Sequence, residues 1–224
     1  MHQEKRLKEG RTASGGLQRM ASKETKSRII VNALDLFNRY GSPNISTNRI
    51  AAQSGISKGN LNYHYSKKSE IILDIFSEMR DEIIIEWKDD HLNPTLEHIE
   101  FMFLRQLHMI WRYRFFYREI VNLLKDDPIL RHRFNDLRIK RRESLKAFLV
   151  SLVDNGHMIL PRKDAHLEHL ITSTWVLSEN WINYVDTLQE TPDEQDLQGG
   201  YDVLMSIFRP YIRDRSLTLV RACG

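Results

Sequence analysis

Apolar residues recur at helical spacing along most of the chain. Over residues 23–40, Ile29, Ile30, Ala33, Leu34 and Phe37 share a face until Gly41 and Pro43 interrupt the pattern. Ser46 stands where it can cap a short helix over 47–54 with Ile50 and Ala51 inward; Gly55 breaks that helix, and Ser57 caps a third running to about residue 65. Lys67 or Lys68 opens a fourth helix reaching about residue 90. Pro94 takes the favoured first position of the next, which carries Phe101, Phe103, Leu104, Leu107 and Trp111. Further helices are predicted over 115–125, 128–155, 164–189 and 193–213, with links at 156–162 and 190–192. No stretch sustains the alternation of a strand and no internal repeat is present, so the fold class is all-α: three short helices, then long ones.

Outside this pattern lie the two ends. Residues 1–21 lack periodicity and contain Gly10, Ser14, Gly15 and Gly16 among basic residues, so they are expected to form a disordered basic arm; Met20 is an alternative start. Residues 214–224 are expected to be a flexible tail. The basic start lacks the apolar run of a signal peptide, and no later run has the length of a membrane-spanning helix.

Composition adds two constraints. Cys223 is the only cysteine of 224 residues, which excludes an intramolecular disulfide and thiolate metal sites and fits a reducing cytoplasm. Charge is unevenly distributed: up to Glu70 there are 13 Lys and Arg against 5 Asp and Glu, and beyond it 20 against 25. The first end would attract a polyanion such as DNA and the other would be repelled by it.

The informative segment is TNRIAAQSGISKGNLNYHY, residues 47–65. Small Ala51 lets two helices cross closely, Gly55 supplies the turn and Ile56 plugs its corner, a combination that specifies a helix-turn-helix. The helix that follows is short, polar and dense in hydrogen-bond donors, as one that enters a major groove must be. Leu61 and Tyr65 are read as core residues that seat it.

The Ile-Ala, Gly-Ile-Ser-Lys-Gly, Leu, Tyr-His-Tyr and Lys68 pattern resembles the DNA-binding domain of the TetR family over residues 23–76. The resemblance implies a helix-turn-helix domain over 22–70, joined by a long helix to a ligand-binding and dimerisation bundle over 71–213. It implies that Lys58, Gly59, Asn60, Asn62, Tyr63 and His64 form the recognition face, and that Ser46 and Lys68 hold phosphates, with Thr47 and Asn48 beside Ser46 in the DNA-binding set. Helix N-termini and a Lys are good anion sites that fix register without reading sequence. Adjacent Tyr63 and His64 point in different directions, and Tyr63 is favoured as the DNA contact. Two positions depart from the family pattern. Asn62 replaces a common aromatic residue and Arg49 a common acidic one, so the operator does not follow by analogy.

In the second half, Phe101, Arg105, His108, Trp111, Phe116, Trp175 and Glu179 are the expected ligand-pocket residues: aromatic walls, with polar groups that burial would oblige to find a partner. Leu167, Leu170, Ile171, Ile182, Leu204, Ile207 and Phe208 are the expected dimer contacts, because the family pairs its last two long helices across a two-fold axis. His166 and His169 lack a carboxylate partner and are not read as a metal site. The basic run from Arg131 to Arg142 is read as a solvated helix face.

No Gly-rich phosphate loop, Gly-x-Ser-x-Gly elbow or metal-spaced His/Glu pattern is present, so no enzyme and no cofactor is expected. The expected protein is a cytoplasmic, nucleoid-associated homodimeric bacterial regulator, a repressor released from an operator by a small apolar or aromatic ligand. Activation stays open. So does a DNA-bound adaptor whose C-terminal half binds a protein, which a filled core beside an exposed apolar groove would favour.

Overall fold

A computed structural model describes residues 2–86, 94–159 and 164–213. It divides into two compact units, Met1–Phe76 and Ser77–Gly224. Among the described residues there are nine α-helices and no strand.

The first unit contains α1 (His2–Tyr40), α2 (Thr47–Gln53), α3 (Lys58–His64) and the start of α4 (Lys68–Glu86). Helix α1 is longer than its apolar stripe and extends to His2, through the stretch expected to be a disordered arm. Strong helix formers such as Glu4, Lys5, Arg6, Leu7, Lys8 and Glu9 account for the difference: Gly10, Gly15 and Gly16 weaken a helix, but no proline stops it from propagating backwards.

Ile29, Ile30, Ala33, Leu36 and Phe37 of α1 are buried, as are Ile50 and Ala51 of α2, Leu61 of α3 and Ile71, Ile75 and Phe76 of α4. Gly41 and Gly55 end α1 and α2 with φ of 77° and 65°, the left-handed region that side chains resist. Past Gly55 the Ile56 N–H donates back to the Ala51 carbonyl at 3.1 Å, which closes the tight turn between α2 and α3.

The second unit contains α5 (Leu96–Arg112), α6 (Arg114–Asp126), α7 (Pro128–Asp154), α8 (Asp164–Asp186) and α9 (Asp196–Phe208), followed by a 3-10 turn at Arg209–Tyr211. Helix α5 starts after Thr95 and not at Pro94: the Thr95 N–H donates to His98 Nδ1 at 3.0 Å. Pro128 does occupy a first helical position, behind Asp127, whose carboxylate accepts from the Ile129 and Leu130 amides at 2.9 and 3.0 Å.

The core of this unit lies between α5, α7, α8 and α9, with Phe103 and Phe208 5.0 Å apart by ring centroid. A second aromatic group, Phe115, Phe116, Tyr117 and Phe134, is buried between α6 and α7. The carboxylate of Asp186 receives two bonds from Arg118, at 2.6 and 2.7 Å, and so joins α8 to α6.

Two expectations meet a different arrangement here. Leu167, Leu170, Ile171, Ile182, Leu204 and Phe208 are buried within this chain's own core, and of the expected dimer set Ile207 lies on the outer face. Both faces of α8 and α9 are apolar, and the stronger stripe belongs to the core. The basic run of α7 is not simply a solvated face. Arg142 and Lys146 bridge to Glu168 at 2.5 and 3.0 Å, Arg138 bridges to Glu179, and Arg141 turns inward. Residues 214–224, expected to be a tail, and Cys223 with them, lie outside the described residues.

Candidate functional site

Helix α3 is held from one side only. Leu61 is fully buried and Tyr65, just past the helix, nearly so, while Lys58, Gly59, Asn60, Asn62 and Tyr63 are exposed, Tyr63 at 80 %. This is the expected division between seating and presenting residues. The Tyr65 hydroxyl donates to Asp74 of α4 at 2.9 Å, and Lys26 of α1 lies 3.8 Å from the same carboxylate and 4.9 Å above the Tyr65 ring. The end of α3 is thereby tied to α1 and α4. A helix of seven residues is not stable alone, so this anchoring fixes the exposed face.

The amide end of each short helix is organised by the expected serines. Ser46 Oγ accepts from the Arg49 N–H at 3.3 Å and Ser57 Oγ from the Asn60 N–H at 3.1 Å. Each hydroxyl keeps its own proton for a second partner. Thr47 is partly exposed and Asn48 exposed at the start of α2. Arg49, beside them, stacks 4.1 Å from the Tyr40 ring centre.

Glycine at 59 has no internal cause. A Cβ built there would meet only Ser57 Oγ, at 3.9 Å, and its φ is not in the left-handed region. In a helix Gly costs about 1 kcal/mol relative to Ala.

His64 is partly buried and stacks edge-on with Tyr63 at 5.2 Å; desolvation and then the nearby Lys26 charge push its pKa below the ordinary histidine value, which favours the neutral ring.

Lys68, expected to hold a phosphate, also has a task within the chain. Its ammonium donates to the carbonyls of Ser42 at 2.5 Å and Ile45 at 3.1 Å, tying the start of α4 to the turn after α1. Glu70 occupies the amide end of α4: its carboxylate accepts from Ser66 Oγ at 2.8 Å and from the Ser66 N–H at 2.7 Å, which holds its pKa below the ordinary value. An acidic group of the chain itself thus satisfies the amides at the start of α4.

In the second unit the expected pocket residues do not converge. Phe101 is exposed under the Arg105 guanidinium, 3.7 Å away; exposed His108 pairs with Glu194 at 2.9 Å; Trp111 lies beneath Arg114; and Phe116 belongs to the aromatic group near α6. Trp175 alone of the set lines the internal cavity, and buried Glu179 accepts its indole N–H at 2.6 Å.

The cavity, of about 20 Å³, lies between α5, α7 and α8 and is lined by Met102, Phe103, Gln106, Arg141, Leu145, Thr174, Trp175 and Ser178. Arg141, 8 % exposed, donates to Gln106 Oε1 and lies 4.9 Å from the Trp175 ring centre. A signal for it existed: Arg141 interrupts the stripe Phe134, Leu137, Leu145, Phe148 at an inward position, as Gln106 does on α5.

On the outer face of α8 and α9 a groove of about 700 Å³ is lined by Val176, Leu177, Asn180, Trp181, Tyr184, Val203 and Ile207, together with Thr172 and Ser173. Val176, Tyr184 and Val203 are exposed. Gly200 packs beneath Trp181, where a Cβ would come within 2.8 Å of the indole. Among the described residues no helix is long and apolar enough to cross a membrane, and no group of three or more His, Cys, Asp or Glu is placed to hold a metal.

Two family models match. Residues 29–75 match that of the bacterial regulatory proteins of the tetR family, and residues 67–220 match a TetR model of bacterial transcriptional repressors. The chain is 30 % identical to a TetR-family transcriptional regulator from Marinobacter aquaeolei VT8, over 87 % of this chain and 96 % of that one, with a TM-score of 0.77. A transcriptional regulator from Saccharomonospora viridis in complex with choline shares the fold, at 15 % identity and TM-score 0.69, over 86 % of this chain and 100 % of that one. TtgW, a helix-turn-helix transcriptional regulator of Pseudomonas putida, is 28 % identical over 69 residues, 31 % of this chain; the chain spans about half, 52 %, of that curated relative's length.

Proposed function

Because the chain belongs to the TetR family of bacterial transcriptional regulators, which are not enzymes, we propose that it is a homodimeric repressor that binds a pseudo-palindromic operator through α3 and releases it when a small molecule enters the second unit. The observation that carries this reading is α3 itself: a polar, donor-rich face, exposed from Lys58 to Tyr63 except for Leu61, on a helix seated by buried Leu61 and Tyr65. Ser46, Thr47 and Asn48 at the start of α2 supply backbone contacts; Asn60, Asn62 and Tyr63 read or flank the bases, with His64 at the edge of that surface. Gly59 supports the reading, since no contact inside the chain requires glycine there and close approach of DNA would.

The second copy is placed against the outer groove of α8 and α9, through Val176, Tyr184, Val203 and Ile207. Two-fold pairing there sets two recognition helices about 34–36 Å apart, one turn of DNA. The rival reading, an adaptor that holds a different protein in this groove, draws on a core filled to a cavity of about 20 Å³ beside that exposed apolar face.

The effector is assigned to the cavity at Arg141 and Trp175. Helix α4 is the coupling element: the boundary between the units falls within it, and Glu82 near its end accepts the Tyr113 hydroxyl at 2.9 Å and lies 3.2 Å from Arg112. Release requires that the effector bind one conformer better than the other. The choline complex lends this chain its fold and not its ligand.

Selection of sites from random duplex DNA by the purified protein, then titration of the winner at two salt concentrations, tests the proposal. A short inverted repeat bound by a dimer supports it. Salt-sensitive binding without a motif overturns the operator reading, and a monomer overturns the dimer.

A further inference from the structure

We infer that the cavity between α5, α7 and α8 is a site for one buried water molecule, which accepts from the Gln106 amide, donates to the Thr174 and Ser178 hydroxyl oxygens, and so bridges α5 to α8. The inference goes beyond the function proposed above and does not depend on it.

Space sets the size of the guest. A cavity of about 20 Å³ has room for one water. An apolar cavity would stay dry, so the chemistry of the wall decides whether water enters. Met102, Phe103, Leu145 and Trp175 form the apolar part of that wall. Gln106, Arg141, Thr174 and Ser178 form the rest, and all four of these polar residues are buried.

The polar groups divide into donors on one side and acceptors on the other. Arg141 donates to Gln106 Oε1, which leaves the amide nitrogen as the free end of that side chain. Among the described residues this nitrogen has no acceptor, although Gln106 is 9 % exposed and an unsatisfied buried amide is costly. On α8 the Thr174 hydroxyl donates to the Leu170 carbonyl at 2.8 Å and the Ser178 hydroxyl to the Trp175 carbonyl at 3.2 Å. Each oxygen has spent its proton and keeps lone pairs. Four residues apart on one helix, the two oxygens share a face. A water that accepts from Gln106 and gives one proton to each hydroxyl oxygen makes about three bonds, the usual number for a buried water.

Charge favours a neutral guest. Arg141 and Glu179 are both buried and opposite in sign, and Glu179 is engaged by Arg138 and by the Trp175 indole N–H at 2.6 Å. Trp175 therefore turns its ring to this region and its N–H away, with the Arg141 guanidinium 4.9 Å from the ring centre. The water completes a directional chain through an otherwise apolar core: Arg141 of α7 to Gln106 of α5, Gln106 to the water, and the water to Thr174 and Ser178 of α8.

A high-resolution crystal structure of the full chain and oxygen-17 magnetic relaxation dispersion in solution test the site. The expected result is one ordered density peak within hydrogen-bond reach of Gln106 Nε2, Thr174 Oγ1 and Ser178 Oγ. In solution the double variant Thr174→Val, Ser178→Ala, which removes both acceptors with little change of shape, should lose one long-lived water from the dispersion amplitude. Density in the unmutated protein decides the matter even if the double variant does not fold. A cavity without density, or an amplitude that the double variant leaves unchanged, overturns the inference. Soaking with bromide checks the charge argument: an anomalous peak in the cavity would show an anion there and would also overturn it.

Discussion

The N-terminal unit turns its polar residues outward and its apolar residues inward on short helices whose caps lie beside them in sequence. The C-terminal unit does the reverse at two places: it buries Arg141, Gln106 and Glu179 and leaves Val176, Tyr184 and Val203 on a surface. Local consistency builds one rigid shape, and departures from it collect where a structure is completed by something else. The first unit is thus suited to present a fixed reading surface, and the second to change when a guest or a second copy arrives.

The sharpest way to break this contrast is to attack the rigid unit from inside. Leu61→Ala removes the fully buried side chain that seats α3 and should cost about 2–5 kcal/mol. Circular dichroism melts should show early loss of the N-terminal helices, and operator binding should vanish at temperatures where the C-terminal unit is still folded. Normal DNA affinity in Leu61→Ala would mean that α3 is held by something other than its core contact.

A cut at the adaptable unit should be milder and reach assembly. The Cβ of Gly200→Ala would press on Trp181 at 2.8 Å, and overpacking of this kind costs about 1–3 kcal/mol. Because Trp181 also lines the outer groove, the variant should show altered tryptophan fluorescence and a weaker dimer by sedimentation. An unchanged dimer would place the second copy elsewhere.

What could be read from the sequence follows the same division. Ser46, Ser57, Gly55, Leu61 and Tyr65 were legible because each acts on neighbours within a few residues. Lys68 was not: its acceptors, Ser42 and Ile45, lie 26 and 23 residues upstream, and only the fold reveals that its ammonium is engaged. Arg141 was hidden by its basic neighbours, although its place in the apolar stripe of α7 marked it as inward. The division of α8 and α9 into a core face and an outer face was not legible, because both helices carry two apolar faces and sequence alone does not say which one the chain uses for itself.

The recognition face can be separated from the frame. Asn60→Ala and Asn62→Ala should each weaken binding to the selected operator by about 1–3 kcal/mol while leaving non-specific binding intact. Lys68→Ala should act through stability, since its donors hold the turn after α1. A Lys68→Ala protein with an unchanged melt and uniformly weaker DNA binding would return that lysine to a phosphate.

Gly59→Ala should move stability and binding in opposite directions. The added methyl has open space, so α3 should gain up to about 1 kcal/mol of helix stability. Binding to the operator should nevertheless weaken, because the methyl stands where the DNA backbone or a base edge approaches. Loss of both would point to an internal role for the glycine, and a gain in both would remove it from the interface.

The smallest effect belongs to Glu70, whose carboxylate accepts from the hydroxyl and amide of Ser66 at the exposed start of α4. Those bonds lower its folded-state pKa below the ordinary glutamate value. The folded state therefore releases this proton more readily than the unfolded state. Its contribution is complete above the unfolded value and is lost as pH falls through the folded one. Hydrogen exchange at the Ser66 amide should accelerate relative to buried amides of α4 as pH falls through the lowered Glu70 value, and Glu70→Gln, which cannot titrate, should flatten that dependence. Because the group is exposed, the effect should stay local and shrink with added salt. A pH-dependent loss spreading through Leu61 and Tyr65 would mean that the start of α4 helps to hold the reading helix, and would make the rigid unit less independent of its surface than its packing implies.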